Sequence, residues 1–128
     1  MNHGRYSFAI SYDSQKKEIY VFGGCNNKGL ENCEKYSIES DSWTDIAPMI
    51  EEILLASACV LNNQYIFVIG GYNDDFVNDI EKYSIALNSW ESIQIASDLK
   101  LTMRAHCLSF SINSSSILIA GGFGDDEY

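Results

Sequence analysis

The sequence predicts an all-β fold assembled from copies of one strand-rich unit, and three observations carry that prediction. The chain repeats itself: IYVFGGCNNKGLENCEKYSIESDSW from Ile19 to Trp43 returns as YIFVIGGYNDDFVNDIEKYSIALNSW from Tyr65 to Trp90. Gly23-Gly24 and Gly70-Gly71 lie 47 residues apart, as do Tyr36 and Tyr83, and Trp43 and Trp90. A third, shorter copy begins at Ile117 and carries Gly121-Gly122, 51 residues after the second pair. A unit of this length cannot bury its faces alone, so it must stack on copies of itself. Next, the run before each glycine pair (Ile19 to Phe22, Ile66 to Ile69, Ile117 to Ala120) is apolar without alternation. That is the mark of a strand covered on both faces. Finally, strand formers abound, with 8 Tyr and 6 Phe against a single Pro.

The elements follow in order. RYSFAISY, from Arg5, reads as a first strand, and the polar stretch from Asp13 to Glu18 turns the chain into IYVF. Gly23-Gly24 ends that second strand, where positive φ or a close backbone approach calls for glycine. The loop CNNKGLEN leads to a third strand carrying Tyr36 and Ile38, and the turn ESDS to a fourth at Trp43. Tyr and Trp, large rings with one polar atom, suit a seam between stacked units. Ala47-Pro48-Met49 crosses to the second unit, whose first strand is Leu55 to Leu61 and whose turn is Asn62-Asn63. Ile95 to Met103 is a longer crossover into RAHCLSFS, the turn INSSS and ILIAGG.

The glycine pairs, with Tyr36/Trp43 and Tyr83/Trp90 following at one spacing, resemble the kelch repeat. The resemblance covers nearly the whole chain, as two full repeats and half of a third. It implies kelch-type β-propeller blades, each a four-stranded antiparallel sheet: blade one over 4–47, blade two over 54–95 and a half blade over 104–123. About 2.5 blades make an incomplete propeller, since such rings close with roughly four to eight. Two copies would lack the same half blade. The expectation is therefore a fragment of a longer propeller or an open stack, with a free strand edge that invites self-association. Kelch repeats often carry Arg before the first strand. Arg5 and Arg104 stand there in blades one and three, but Glu52 and Ile53 in blade two.

Net charge is −10 and the pI about 4.4. This argues against non-specific nucleic-acid binding and against anionic membrane surfaces. It favours a basic protein or peptide partner, although an acidic surface also serves solubility. No apolar leader core precedes the first strand, so the expected compartment is cytosol or nucleus. Of the four cysteines, Cys59 and Cys107 fall in first strands and read as buried thiols. Cys25 and Cys33 bracket one loop and would pair only in an oxidising compartment.

No catalytic constellation emerges, and no cofactor or metal is called for. His3 and His106 lack companions at metal-ligand spacing and read as surface or seam residues. The glycine pairs lack the helix that phosphate binding requires. Asp74-Asp75 and Asp125-Asp126 each lie three and four residues after a glycine pair, where blade one has Asn27-Lys28. Equivalent loops emerge on one propeller face, so these carboxylates should gather at one end. A dock for a Lys/Arg-rich segment, a weak Ca²⁺ site and ordinary turn chemistry all remain open. In kelch propellers that bind peptides, contacts come from these loops and from the entries to the first strands. The resemblance thus implies Asn26, Asn27, Asn73, Asp74, Asp75, Asp125 and Asp126, with Arg5 and Arg104 nearby and Tyr72 and Phe123 as apolar anchors. The expected role is a non-enzymatic interaction module, either selecting substrates for a ubiquitin ligase or scaffolding the cytoskeleton. A fragment of a kelch-fold enzyme and a truncated propeller with no function of its own are the alternatives.

Overall fold

The computed structural model describes residues 1–77, 79–94 and 104–124. All of its regular structure is β, and no helix is long and apolar enough to cross a membrane. The first antiparallel sheet runs β1 (Ala9–Asp13), β2 (Glu18–Phe22), β3 (Cys33–Ser37) and β4 (Ser42–Ile46) in that order. The second contains β5 (Ser57–Leu61), β6 (Tyr65–Ile69), β9 (Ile80–Ser84) and β10 (Ser89–Ile93), with a small hairpin of β7 (Tyr72–Asn73) and β8 (Asp75–Phe76) between β6 and β9. The third pairs β11 (Ala105–Asn113) with β12 (Ser116–Phe123). The expected four-stranded sheets are therefore present twice, with the inner pair of a third. The crossover Ile95 to Met103 lies outside the described residues.

Residues directly opposed across a ladder share a face. In the first sheet Ala9, Phe22, Cys33 and Ile46 lie in one row, and Tyr12, Ile19, Tyr36 and Trp43 in a row on the other side. The first face, with Tyr20 beside Phe22, is the forward face. It lies against the second sheet's rear face, which carries Ala58, Ile66, Val68, Tyr83 and Trp90. Phe22 meets Trp90 edge-on at 5.4 Å, and Tyr20 and Phe22 each reach Tyr83 at 6.2 Å. Tyr20, Phe22, Ile66 and Val68 are almost wholly buried. At about 1.5–3 kcal/mol per large apolar side chain, this seam is the main source of cohesion between the sheets. The second sheet repeats the arrangement onto the third: Ser57 and Ser109 hydroxyls meet at 2.7 Å, and the Cys107 thiol points at the Ile69 carbonyl.

Tyr83 and Trp90 occupy the predicted seam. Tyr36 and Trp43 pair with each other at 5.2 Å but face away from the second sheet, on the rear face of the first, and stay half-exposed. The seam expectation thus holds for one pair only, because a rear face is covered only by a preceding sheet. The third apolar run departs likewise. Leu118 is 50% exposed on a forward face that no described sheet covers. Ile38 lies past the end of β3, in the turn, and is exposed. The first strands start later than expected, at Ala9 and Ser57, because Ser7 and Leu55 adopt φ of 55° and 58°.

Those two residues belong to a series. His106 has φ 56° at the same place in the third sheet. The Leu55 N–H donates to the Ser7 carbonyl at 2.8 Å and the His106 N–H to the Leu55 carbonyl at 2.9 Å. A rail of backbone bonds thus links successive sheets along the inner rim. Beside it, β1, β5 and β11 line a groove of about 910 Å³.

Candidate partner-binding face

Both glycines of every pair have positive φ, from 58° at Gly23 to 108° at Gly71. In the first two sheets they also sit under the next one. The Gly24 N–H donates to the Ile53 carbonyl at 2.9 Å, and the Gly71 N–H to the Arg104 carbonyl at 3.0 Å. A Cβ on Gly23 would lie 2.4 Å from the Ile53 oxygen, and one on Gly70 2.3 Å from the Arg104 oxygen. Each pair therefore ends a strand, accepts the neighbouring sheet and aims its loop to one side.

The two complete loops are built alike. The Leu30 N–H returns to the Gly24 carbonyl, and the Val77 N–H to the Gly71 carbonyl. Asn27 (φ 90°) and Asp74 (φ 55°) form the tips. Each loop is tied down by an apolar residue near its return, Leu30 being buried and Val77 packing on the core. Asn26, Asn27, Asp74 and Asp75 are exposed and Asn73 is half-exposed. Asp125 and Asp126 lie outside the described residues.

The aromatic anchors are brought together. Tyr72 meets Phe76 edge-on at 5.7 Å, Phe76 meets Phe123 at 5.6 Å, and His106 stacks on Phe123 at 5.5 Å. This row runs from the β7–β8 hairpin to the third sheet, with Tyr72, Phe123 and His106 exposed and Phe76 half-exposed. Asp74 and Asp75 border it, and the Tyr72 hydroxyl donates to the Asp74 carbonyl. The sequence reading named Tyr72 and Phe123 but missed Phe76 and His106. Phe76 was legible as an apolar residue inside an otherwise polar loop. His106 becomes visible only once the rail places it beside Phe123.

The two arginines serve the sheets themselves, and the Arg104 carbonyl accepts the N–H of Gly71 beside Tyr72. The Arg5 side chain is fully buried. It donates to the Gly23 and Asn32 carbonyls and pairs with Glu34 at 2.8 Å, so it holds the first sheet together from within. The half-buried Arg104 bonds the Gly121 carbonyl in the same manner. Ile53 takes the equivalent place in the second sheet and packs into the core.

The repeated EKYSI segment has a role that its letters did not disclose. Glu34 accepts the N–H groups of Asn2 and His3, and Glu81 those of Ile50 and Glu51. Each buried carboxylate thus caps the segment entering its own sheet. Without an arginine, burial pushes Glu81 above the ordinary carboxylate range, the two N–H donors opposing the shift. Burial also pushes the Cys33 thiol up to about 12. All four cysteines are free: Cys33, Cys59 and Cys107 buried, Cys25 half-exposed. No cluster of metal-ligating side chains occurs among the described residues.

A family model described as the Kelch motif matches residues 13–50 and 55–95. No curated protein matches the chain.

Proposed function

This chain belongs to the kelch-repeat family, whose repeats are in general protein-interaction units, and from that premise we propose that it recognises a protein or peptide partner through its post-diglycine loops. The observation that carries this reading is the largely exposed aromatic row Tyr72–Phe76–Phe123 with His106, running from the β7–β8 hairpin to the third sheet and bordered by carboxylates. Exposed aromatics grouped on loops over a rigid sheet are the chemistry of a binding hot spot. Asp74 and Asp75, on a chain of net charge −10, favour a partner segment that places Lys or Arg beside an apolar anchor. The family's repeats are generally non-enzymatic. The role is accordingly assigned to recognition, in the cytosol or nucleus, where free thiols persist.

A displayed random-peptide library selected on the wild type, and in parallel on the double variant Asp74→Lys/Asp75→Lys and on Phe76→Ala, tests this. The wild type should enrich basic peptides with an aromatic or aliphatic anchor. The double variant should lose the basic preference and Phe76→Ala the apolar one. Identical enrichment on all three proteins would remove this face from the function.

A further inference from the structure

We propose that the rear face of the first sheet is a docking site for the forward face of the third sheet of a second copy, so that two copies associate head to tail. The chain contains the template twice, since each internal seam seats a forward face on the next rear face. The two faces that stay exposed among the described residues are the two halves of that seam. The open rear face presents Ile10 and Tyr12, 55% and 52% exposed, beside Ile19, Tyr36 and Trp43. These match Ala58, Val60, Ile66, Tyr83 and Trp90, which grip the first sheet. The open forward face presents Leu108, Phe110 and Leu118, 60%, 54% and 50% exposed. The corresponding residues Ala9, Ser11 and Tyr20 lie buried in the first seam.

The backbone carries an independent sign of the same occupant. Gly121 has φ 70°, yet a Cβ built there meets nothing within 4 Å. At Gly23 and Gly70 the same Cβ would strike the carbonyl of the next sheet's entry residue. Gly121 thus keeps clear a place that, in both internal seams, is filled by the residue equivalent to Arg5. At the other end Ser7 holds the left-handed conformation of the rail, although its N–H bonds nothing among the described residues. In the docked pair, Ser7 N–H of one copy donates to the His106 carbonyl of the other, and Gly122 N–H to the Arg5 carbonyl. β11 and β12 carry no Asp, Glu, Lys or Arg, so two copies of an acidic chain meet here without charge opposition. Two such seams between the same two copies occupy both faces of each and relate the copies by a twofold axis. Ala9, Tyr20 and Phe22, from the inner two strands, supply most of the forward face in the first seam.

The test is the solution mass of the chain by sedimentation and light scattering across a wide concentration range. The expected species has twice the 14.4 kDa chain mass. Leu118→Asp blocks the forward face and Tyr12→Asp the rear face. Each should weaken association on the order of 100-fold or more, because a carboxylate would be buried unpaired. Mixing the two variants should restore a dimer, since one intact seam remains between a free rear face and a free forward face. Leu108→Asp and Ile10→Asp make a second pair on the same faces, used if a circular dichroism melt shows either first variant unfolded. Single-chain mass for the wild type, dissociation by only one member of a folded pair, or failure of the mixture to associate would each overturn the proposal.

Discussion

Replacing Arg5 by Ile would give the first sheet the residue that the second already carries. Arg5 and Glu34 are both fully buried and 2.8 Å apart. The guanidinium also satisfies the Gly23 and Asn32 carbonyls. Removing one partner of a buried ion pair costs about 3–5 kcal/mol, chiefly from the stranded charge. The bared Gly23 carbonyl pushes toward the upper end, while the Asn32 carbonyl keeps the Gly23 N–H. The N–H groups of Asn2 and His3 still hold the carboxylate and push toward the lower end. The expected loss is about 4 kcal/mol, a large part of the roughly 5–15 kcal/mol of a typical domain. Urea unfolding followed by the fluorescence of the 2 Trp residues measures it. The double variant Arg5→Ile/Glu34→Gln should recover at least about 1 kcal/mol, because no charge is then left inside. A loss under about 1 kcal/mol, or a double variant no more stable than the single, would refute the reasoning.

Two further expectations concern the repeated positions. Gly121→Ala should cost the chain about 1–2 kcal/mol for the left-handed backbone alone. Gly70→Ala, whose Cβ would meet the Arg104 carbonyl at 2.3 Å, should cost about 1–3 kcal/mol more. Equal losses, measured in dilute solution by thermal melts, would show that the next sheet does not press on the glycine. For Glu81, folding raises the pKa. Its contribution is therefore fully present below the unfolded value of about 4.3 and is lost as pH rises through the folded value. Glu81→Gln should gain stability relative to wild type as pH rises above about 4.3, the unfolded value, read from paired urea titrations.

Periodicity made the stack legible. The diglycine pairs, the inner strands and the seam pair Tyr83/Trp90 all stand where the repeat places them. The sequence could not tell that Tyr36/Trp43, in an almost identical context, would lie open. Which copy of a motif is buried depends on which neighbour precedes it, and no local pattern encodes that. Arg5 stood near the implied contacts through its place at the entry to the first strand. Only the chain path shows that Glu34 and two carbonyls surround it. On the candidate face, loop composition picked out Tyr72, Phe123 and the Asn and Asp residues. The row through Phe76 and His106 depends on β7–β8 folding back and on the rail, neither of which has a distinctive sequence signature.

The crossover between the first two sheets has a kinetic consequence. Asn88 and Trp90 of the second sheet hold the Ala47 N–H and carbonyl, Glu31 of the first takes the Met49 N–H, and Glu81 takes those of Ile50 and Glu51. The connection is sewn alternately to both sides, with the Met49 side chain buried between them. In a linear array of repeats, such stitching amounts to a strong nearest-neighbour coupling. Neither four-stranded sheet can then open without loosening the other, so the pair behaves as one cooperative unit with a shared unfolding barrier.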